Sequence, residues 1–371
     1  MENDEHFMNL AILLARKGGG NVNPNPQVGA IIVNDGRIIG QGYHEKYGEA
    51  HAEINAFKSC IESPEGSTIY VTLEPCAHQG KQPPCFEAII KNKVKRVVIG
   101  SLDPNPLVAG KGIEAMKKAG IDVSLKVLEK ECKDLNKIFF HYVTQRTPYV
   151  MMKYAMTLDG KIATYKGQSK WITGEKARQK VHEDRSRFMA IMIGVETLLK
   201  DDPQLTARIK NGINPIRIIC DTQLRTPLTS KIVSTAFEIP TIIATSNENI
   251  QKHQAFIEAG CEILLVSSIS KHLDLKDLIT KLGEREIDSL ILEGGARLNA
   301  SALKAGIVQK VQAYIAPKIF GGKEAPSSVE GLGVEHPDQA YLLDRPQVAY
   351  LGEDILLESE LIKCLQELLR K

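Results

Sequence analysis

His51-Ala52-Glu53, Cys76 and Cys85 are the residues of this 371-residue chain whose types and spacing most plainly do chemistry. One imidazole and two thiolates give zinc three protein ligands and leave a fourth position for water, the open coordination of a catalytic rather than a structural site. Zinc in that setting lowers the pKa of its water towards about 7. Glu53, two residues from the histidine, is placed to take that proton and hand it to a leaving group. The expected reaction is hydrolytic loss of ammonia from an amidine-like ring carbon. The alternative is a buried histidine with two core thiols, against which stands the full string HAE, EPC, PPC with its donors at expected helix starts. Seven cysteines, an odd count in a long chain, also favour metal binding or burial over a disulfide framework.

The order H-x-E followed by P-C follows the logic of zinc nucleobase deaminases, with one departure. Eight residues, not two, separate Cys76 from Cys85. Six extra residues must loop out, Pro83-Pro84 stiffens the return, and Cys85 arrives at a helix N-terminus, where the dipole favours thiolate. The loop is expected to overhang the pocket, where its His78 and Lys81 could meet an anionic group on a substrate. His44, like His78, is open between pocket lining and surface. Asn23-Pro24-Asn25-Pro26 and Asp103-Pro104-Asn105-Pro106 put amides and a carboxylate on stiff loops beside strands, suited to a polar heterocycle, with Asn23, Asp103 and Asn105 as candidate contacts. Ordinary turn chemistry is the alternative for both segments.

The second half carries neither G-x-G-x-x-G nor G-x-x-x-x-G-K-[ST], which disfavours a Rossmann turn and a P-loop. It offers Glu293-Gly294-Gly295 at a strand-to-helix junction, where bare amides could approach a pyrophosphate, although a tight turn explains the glycines equally well. Trp171, the only tryptophan, is a flat face for a nicotinamide or a core residue. Arg185 and Arg208 are forks for a sugar phosphate or solvated surface groups.

These groups need rigid elements. The expected elements alternate: a hairpin (28–33 and 37–43), a helix over 50–60, strand 67–73, helix 85–92, strand 96–100, helix 112–120 and strand 121–125. A helical stretch then ends at Thr147-Pro148, the expected domain boundary, giving domains 1–147 and 148–371. The second half restarts with strand 149–157 and continues through strands near 188–194, 216–220, 240–245, 262–266, 289–294 and 311–317, with helices between them. Two α/β domains follow. The N-terminus predicts an amphipathic helix with Phe7, Leu10, Ala11 and Leu14 inward rather than a signal peptide. Residues 358–371 predict another, with Leu361, Ile362, Leu365, Leu368 and Leu369 on one side, docked on its own domain or on a subunit. Lys and Arg balance Asp and Glu at 18 to 17 before Thr147 and 29 to 28 after it, so neither half has the basic surface of a nucleic-acid or membrane binder. A soluble, cytoplasmic protein without nucleic-acid or membrane partners is expected, its assembly into a homo-oligomer left open.

Residues 1–147 resemble the deaminase domain of the bifunctional riboflavin biosynthesis deaminase/reductases, in N-x-x-V-G-A, H-A-E, E-P-C-x-H-x-G-[RK]-x-P-P-C and D-P-N-P, all present in order. Gln79 and Gln82 depart from the family's usual loop residues, which touches the loop and not the ligands. The opening strand from Lys153 to Ala163, Ser169-Lys170-Trp171, the string from Gly194 to Arg208 and the E-G-G turn resemble the reductase half. The resemblance implies a cytidine deaminase-like α/β/α domain followed by a dihydrofolate reductase-like α/β domain, with Zn2+ and NADPH as cofactors. It implies a phosphoribosylaminopyrimidine substrate, first deaminated and then reduced from ribosyl to ribityl. Carried over by position, Ala155, Trp171, Thr197, Asp201, Gly294 and Gly295 fall on cofactor contacts, and Ser169, Arg185, Leu205, Arg208 and Glu293 on substrate contacts. No residue pattern by itself separates NADPH from NADH. The rival readings are a tRNA or other nucleic-acid base deaminase with an accessory domain, disfavoured by balanced charge and few aromatics, and a non-catalytic zinc scaffold, which has no use for Glu53.

Overall fold

A computed structural model describes residues 2–77, 83–105 and 110–362. His78, Gln79, Lys81, Gln82, Pro106 and residues 363–371 lie outside the described residues. The chain divides into two compact units, Met1–Arg146 and Thr147–Lys371.

The first unit runs α1 (Glu2–Ala15), β1 (Gly29–Asn34), β2 (Arg37–Tyr43), α2 (Ala52–Lys58), β3 (Thr68–Leu73), α3 (Cys85–Lys91), β4 (Arg96–Ser101), α4 (Lys111–Lys118), β5 (Asp122–Leu125), α5 (Glu129–Leu135) and α6 (Lys137–Gln145). Its sheet has the order β2-β1-β3-β4-β5, with β1 antiparallel to both neighbours and β3, β4 and β5 parallel. Asp35 and Gly36 both take positive φ, 47° and 76°, so a two-residue turn closes the hairpin with Asn34 opposite Arg37. The central strands are apolar on both faces. Ala30, Ile32, Ile69 and Val71 pack under α2, α3 and α4, while Ile31, Val33 and Tyr70 pack against Phe7, Met8, Ala11 and Ile12 of α1. This makes the α/β/α sandwich that period-2 burial on both sides demands.

One close approach sets the site. A Cβ built on Gly42 of β2 would lie 2.3 Å from the Ala56 nitrogen and 2.6 Å from the Ala52 oxygen, and one on Gly40 would lie 2.6 Å from the Ala56 oxygen. Helix α2 therefore rests on bare strand backbone.

The second unit runs β6 (Tyr149–Thr157), α7 (Glu175–Arg187), β7 (Ala190–Gly194), α8 (Val195–Asp201), β8 (Ile216–Cys220), α9 (Lys231–Ser234), β9 (Thr241–Thr245), α10 (Ile250–Glu258) and β10 (Glu262–Leu265). It continues through the small hairpin β11 (Ser268–Ile269) and β12 (His272–Leu273), α11 (Leu275–Glu284), β13 (Ser289–Leu292), α12 (Ala296–Ala305), β14 (Lys310–Ala316), β15 (Gln347–Leu351) and β16 (Asp354–Glu360). Nine strands form one sheet in the order β10-β9-β8-β7-β13-β6-β14-β16-β15, parallel from β10 to β14, with β16 and β15 antiparallel at one edge.

Three expectations change here. Residues 358–360 finish strand β16 instead of opening a helix, because Leu356 packs inward and Glu360 pairs with Lys310 of β14. Hairpin β15–β16 was not foreseen, since β15 is exposed along nearly its whole length and shows no buried alternation. Residues 195–201 form α8, although the string was expected only to carry cofactor contacts. Among the described residues no helix is long and apolar enough to cross a membrane.

Candidate active sites

In the first unit, the ligand atoms of His51, Cys76 and Cys85 all lie within 4.8 Å of one another. His51 immediately precedes α2, Cys85 opens α3, and Cys76 follows β3, so two helix starts and a strand exit converge. His51 Nδ1 stands 3.2 Å from Cys85 Sγ and 3.6 Å from Cys76 Sγ. Cys85 stands at the start of α3, as expected, and its backbone also serves Cys76. The Cys85 backbone N–H donates to Cys76 Sγ at 3.3 Å. With the Cys85 thiol and His51 also hydrogen-bonded to it, Cys76 is held far below the ordinary thiol range, whereas its bond to Cys76 and burial push Cys85 up. The helix start thus gives Cys76 Sγ a backbone donor.

Two sulfurs and one imidazole nitrogen fit zinc. Donors about 2.0–2.3 Å from a tetrahedral ion sit roughly 3.5–4 Å apart, and the metal displaces the thiol protons. Glu53, in the first turn of α2, is 3% exposed. Burial first, and then the charge of Cys76, raise its carboxyl to about 7. A cavity of about 310 Å³ opens at this cluster, lined by Asn25, His44, His51, Glu53, Cys76 and Asp103 among others. His44 is buried, its Nδ1 is 3.1 Å from the Ala50 carbonyl, and its Nε2 is 3.2 Å from Asn25 Nδ2. Burial lowers its pKa, so the ring is neutral: Nδ1–H donates and Nε2 accepts.

The structure redistributes the polar candidates. Asn25 lines the cavity, while Asn23 closes the 3-10 turn Arg16–Val22 by donating its N–H to the Gly20 carbonyl. Asp103 lines the cavity, and Asn105 donates its N–H to Asp103 Oδ1 at 2.8 Å without reaching it. Lys81 lies outside the described residues. Glu74 was missed although it stands in the E-P-C string. Its buried carboxylate accepts the Gly110 N–H at 2.7 Å and the Asp103 N–H at 3.3 Å, pinning both ends of the segment that carries Asp103.

In the second unit, β7 and β13 are parallel neighbours, and the turns that leave them meet. The Gly194 N–H donates to the Gly294 carbonyl at 3.1 Å, and a Cβ on Gly295 would come within 3.1 Å of Thr197 Oγ1. Gly294 takes φ 81°, which a side chain disfavours. Below the turn, Asn299 Oδ1 is buried and has no hydrogen-bond partner among the described residues, while its Nδ2 donates to the Ser328 carbonyl at 2.9 Å. Open glycine backbone, a hydroxyl and an unsatisfied acceptor fit a cofactor's pyrophosphate and ribose. Trp171 is 63% exposed, with the Arg178 guanidinium 4.6 Å from its ring centroid, so the core alternative does not hold. Ala155 is half-buried on β6, Ser169 is half-buried before Trp171, and Asp201 ends α8 exposed.

Two of the expected substrate contacts, Arg185 and Glu293, are paired with one another. Arg185 Nε and Nη2 donate to Glu293 Oε1 at 3.0 Å and Oε2 at 2.8 Å, and its Nη1 donates to the Thr206 carbonyl at 3.1 Å. Both Glu293 oxygens are engaged by it, because two buried opposite charges are cheaper paired than apart. Burial alone would raise the Glu293 carboxyl, yet Arg185 and Lys153 hold it at about 2. Arg208 is exposed, and its Nη2 stands 3.1 Å from His182 Nε2. Leu205 is buried at φ 56° and turns the chain so that Thr206 faces Arg185 and Arg208 faces solvent. Lys153, with Nζ 3.8 Å from Glu293 Oε2, and His182 were missed as site residues. A lysine inside the apolar strand YVMMKYAMT, and a histidine one helical turn before Arg185, were the available signals.

Comparison with known proteins agrees with both halves. Residues 148–357 match the model described as the RibD C-terminal domain, and residues 1–101 match the cytidine and deoxycytidylate deaminase zinc-binding region. The riboflavin biosynthesis protein RibD of Actinobacillus pleuropneumoniae is 52% identical over 96% of this chain and 94% of its own length. RibD of Acinetobacter baumannii superimposes with a TM-score of 0.88 at 36% identity, covering 98% of this chain and 99% of that one. The diaminohydroxyphosphoribosylaminopyrimidine deaminase/5-amino-6-(5-phosphoribosylamino)uracil reductase of Thermotoga maritima gives 0.85 at 39% identity, covering 97% and 99%. The fold is a cytidine deaminase-like unit followed by a dihydrofolate reductase-like unit, and the chain belongs to the RibD family of riboflavin biosynthesis deaminase/reductases.

Proposed function

We propose that the first unit removes the ring amino group of a phosphoribosylaminopyrimidine, and that the second reduces the ribosyl chain of the product with NADPH. The convergence of His51, Cys76, Cys85 and Glu53 on one cavity supports this most directly. The substrate is a small phosphorylated pyrimidine rather than a nucleic acid, in keeping with the balanced charge of both halves. The free thiols among the described cysteines favour a reducing compartment such as the cytoplasm.

His51 Nδ1, Cys76 Sγ and Cys85 Sγ would hold zinc, which supplies Lewis acidity that brings the pKa of a water towards about 7. Glu53 takes a proton from the attacking water on a carboxylate oxygen and delivers it to the departing amino group, so that C–NH2 and water become C=O and NH3. The buried Glu53 carboxyl, in the first turn of the helix that His51 precedes, is placed for both transfers. Asn25, with its Nδ2 on His44, and Asp103 line the same cavity and are the polar contacts for the ring. Asn105 and Lys81 remain candidate contacts from their loops.

In the second unit, NADPH supplies the hydride, and the protein supplies orientation. Thr197, Gly294 and Gly295 would hold the pyrophosphate region, with Ala155, Trp171 and Asp201 as further cofactor contacts. Arg208, exposed and with its Nη2 on His182, is the fork for the substrate phosphate. Arg185, Glu293, Ser169 and Leu205 shape the wall around it, with Arg185 held by Glu293.

The test is a crossed pair of variants. Glu53→Gln keeps the ligands and should lower ammonia release by a factor on the order of 10² or more, yet consume NADPH normally on pre-deaminated substrate. Arg208→Ala should leave ammonia release intact and weaken reduction by about 1.5–3 kcal/mol. Equal loss of both steps in either variant would overturn the division of labour.

A further inference from the structure

The connections leaving β7 and β13 diverge. Strand β7 leads through α8 to β8 on one side, whereas β13 leads through α12 past β6 to β14 on the other. Adjacent parallel strands with diverging connections open a crevice at their carboxyl ends, where ligands of open α/β sheets bind. Thr197 and the Gly294-Gly295 turn meet there. A dinucleotide with its pyrophosphate in this crevice lays its halves over opposite sides of the sheet. Glu293, Ala155 and Trp171 belong to the β13-β6-β14 side, Trp171 through its carbonyl, which accepts from Lys318 just beyond β14. The loops after β8 and β9 are left for the adenosine half.

Residues 221–230 and 245–249, which form those loops, contain a single basic side chain, Arg225. It is 45% exposed, and its Nη2 stands 2.5 Å from Oε1 of Glu196, the residue before Thr197 on α8. Glu196 is also within the electrostatic reach of Lys200 and Arg297. Arg297 also has Glu330 at 3.9 Å, and Arg225 also feels the charge of Asp221, so the one close partner of the exposed Arg225 fork is the solvent-facing Glu196.

We propose that Arg225 selects NADPH over NADH by exchanging its Glu196 partner for the 2′-phosphate of the adenosine ribose. This rests on the reading of the second unit as NADPH-dependent. A guanidinium binds a phosphate through two parallel charge-assisted hydrogen bonds, which an exposed single-contact carboxylate does not match. Glu196 keeps the fork close to α8 until the phosphate arrives.

Calorimetric titration of the purified full-length chain with NADPH, NADH, 2′,5′-ADP and 5′-AMP tests it. The wild type should prefer NADPH and 2′,5′-ADP. Arg225→Gln should weaken those two by about 10- to 100-fold and leave NADH and 5′-AMP within about twofold, with an unchanged unfolding midpoint. Arg225→Lys should restore part of the preference. Equal weakening of all four ligands, no weakening of any, or the selective loss appearing instead in Lys200→Gln or Arg297→Gln would overturn the assignment. A wild type that binds neither NADPH nor NADH would sink the reductase reading itself, whereas one that prefers NADPH with or without Arg225 sinks only the role of this arginine.

Discussion

The two sites solve the same problem of placing ionisable groups in opposite ways. In the first unit, His51, Glu53, Cys76 and Cys85 lie within one short stretch of chain, and their donors are satisfied largely by one another. In the second, Lys153 on β6, Arg185 on α7 and Glu293 just past β13 are far apart in sequence, and the carboxylate is already paired with the guanidinium in a buried cluster. A site that hands its chemistry to a metal must keep ligands uncommitted to other partners. A site that hands it to a bound cofactor can compensate its own charges and offer shape instead.

The sharpest break between them should come from Cys85→Ser. Metal content should fall from about one zinc per chain towards none, and ammonia release should drop to background, while NADPH consumption on pre-deaminated substrate persists. Elemental analysis with both assays checks this. Full deaminase activity without the thiol would remove the metal from the comparison altogether.

Next in size is the cost of disturbing the compensated cluster. Arg185→Met leaves the Glu293 carboxylate buried without its fork, and such a loss costs about 3–5 kcal/mol. Denaturant unfolding should show it in the second unit. Arg185→Met combined with Glu293→Leu should recover much of the loss, because no buried charge is then stranded. A single-variant cost below about 1 kcal/mol would mean that the pair behaves as a surface bridge.

How much of this could be read beforehand follows the same division. The zinc ligands and Glu53 were legible because residue type and spacing alone define such a site. So were the strands whose burial alternates or is continuous, such as β1, β3 and β7. The pairing of Arg185 with Glu293 was not, since nothing local joins residues 108 positions apart. Asn23 and Asn25 both stand before a proline, and the sequence does not show that the backbone of the first closes the preceding turn while the second lines the cavity. The last residues of strand β16, 358–360, were read into a helix because the apolar residues from Leu361 onward recur at helical spacing, while its partner strand β15 carries almost no buried residue.

The smallest effect lies in acid. The Glu293 carboxyl is depressed to about 2 in the folded chain. Its contribution is therefore present above the unfolded value of about 4.3 and is lost as pH falls from there towards about 2. Below about pH 4.3 the unfolding midpoint of the second unit should fall more steeply in the wild type than in Glu293→Gln. Parallel acid limbs would show that other carboxylates govern the loss.

The bare strand under α2 gives the zinc cluster a mechanical tolerance. Because Gly40 and Gly42 leave no clearance beneath Ala52 and Ala56, a single methyl group at either position must lift the helix that begins beside His51 and carries Glu53. Neither glycine is among the residues that line the cavity or offer a ligand atom. The cluster consequently has two silent dependents on the far side of a helix. At those positions evolution is free to alter catalysis without altering any contact residue, and a survey limited to the pocket would overlook both.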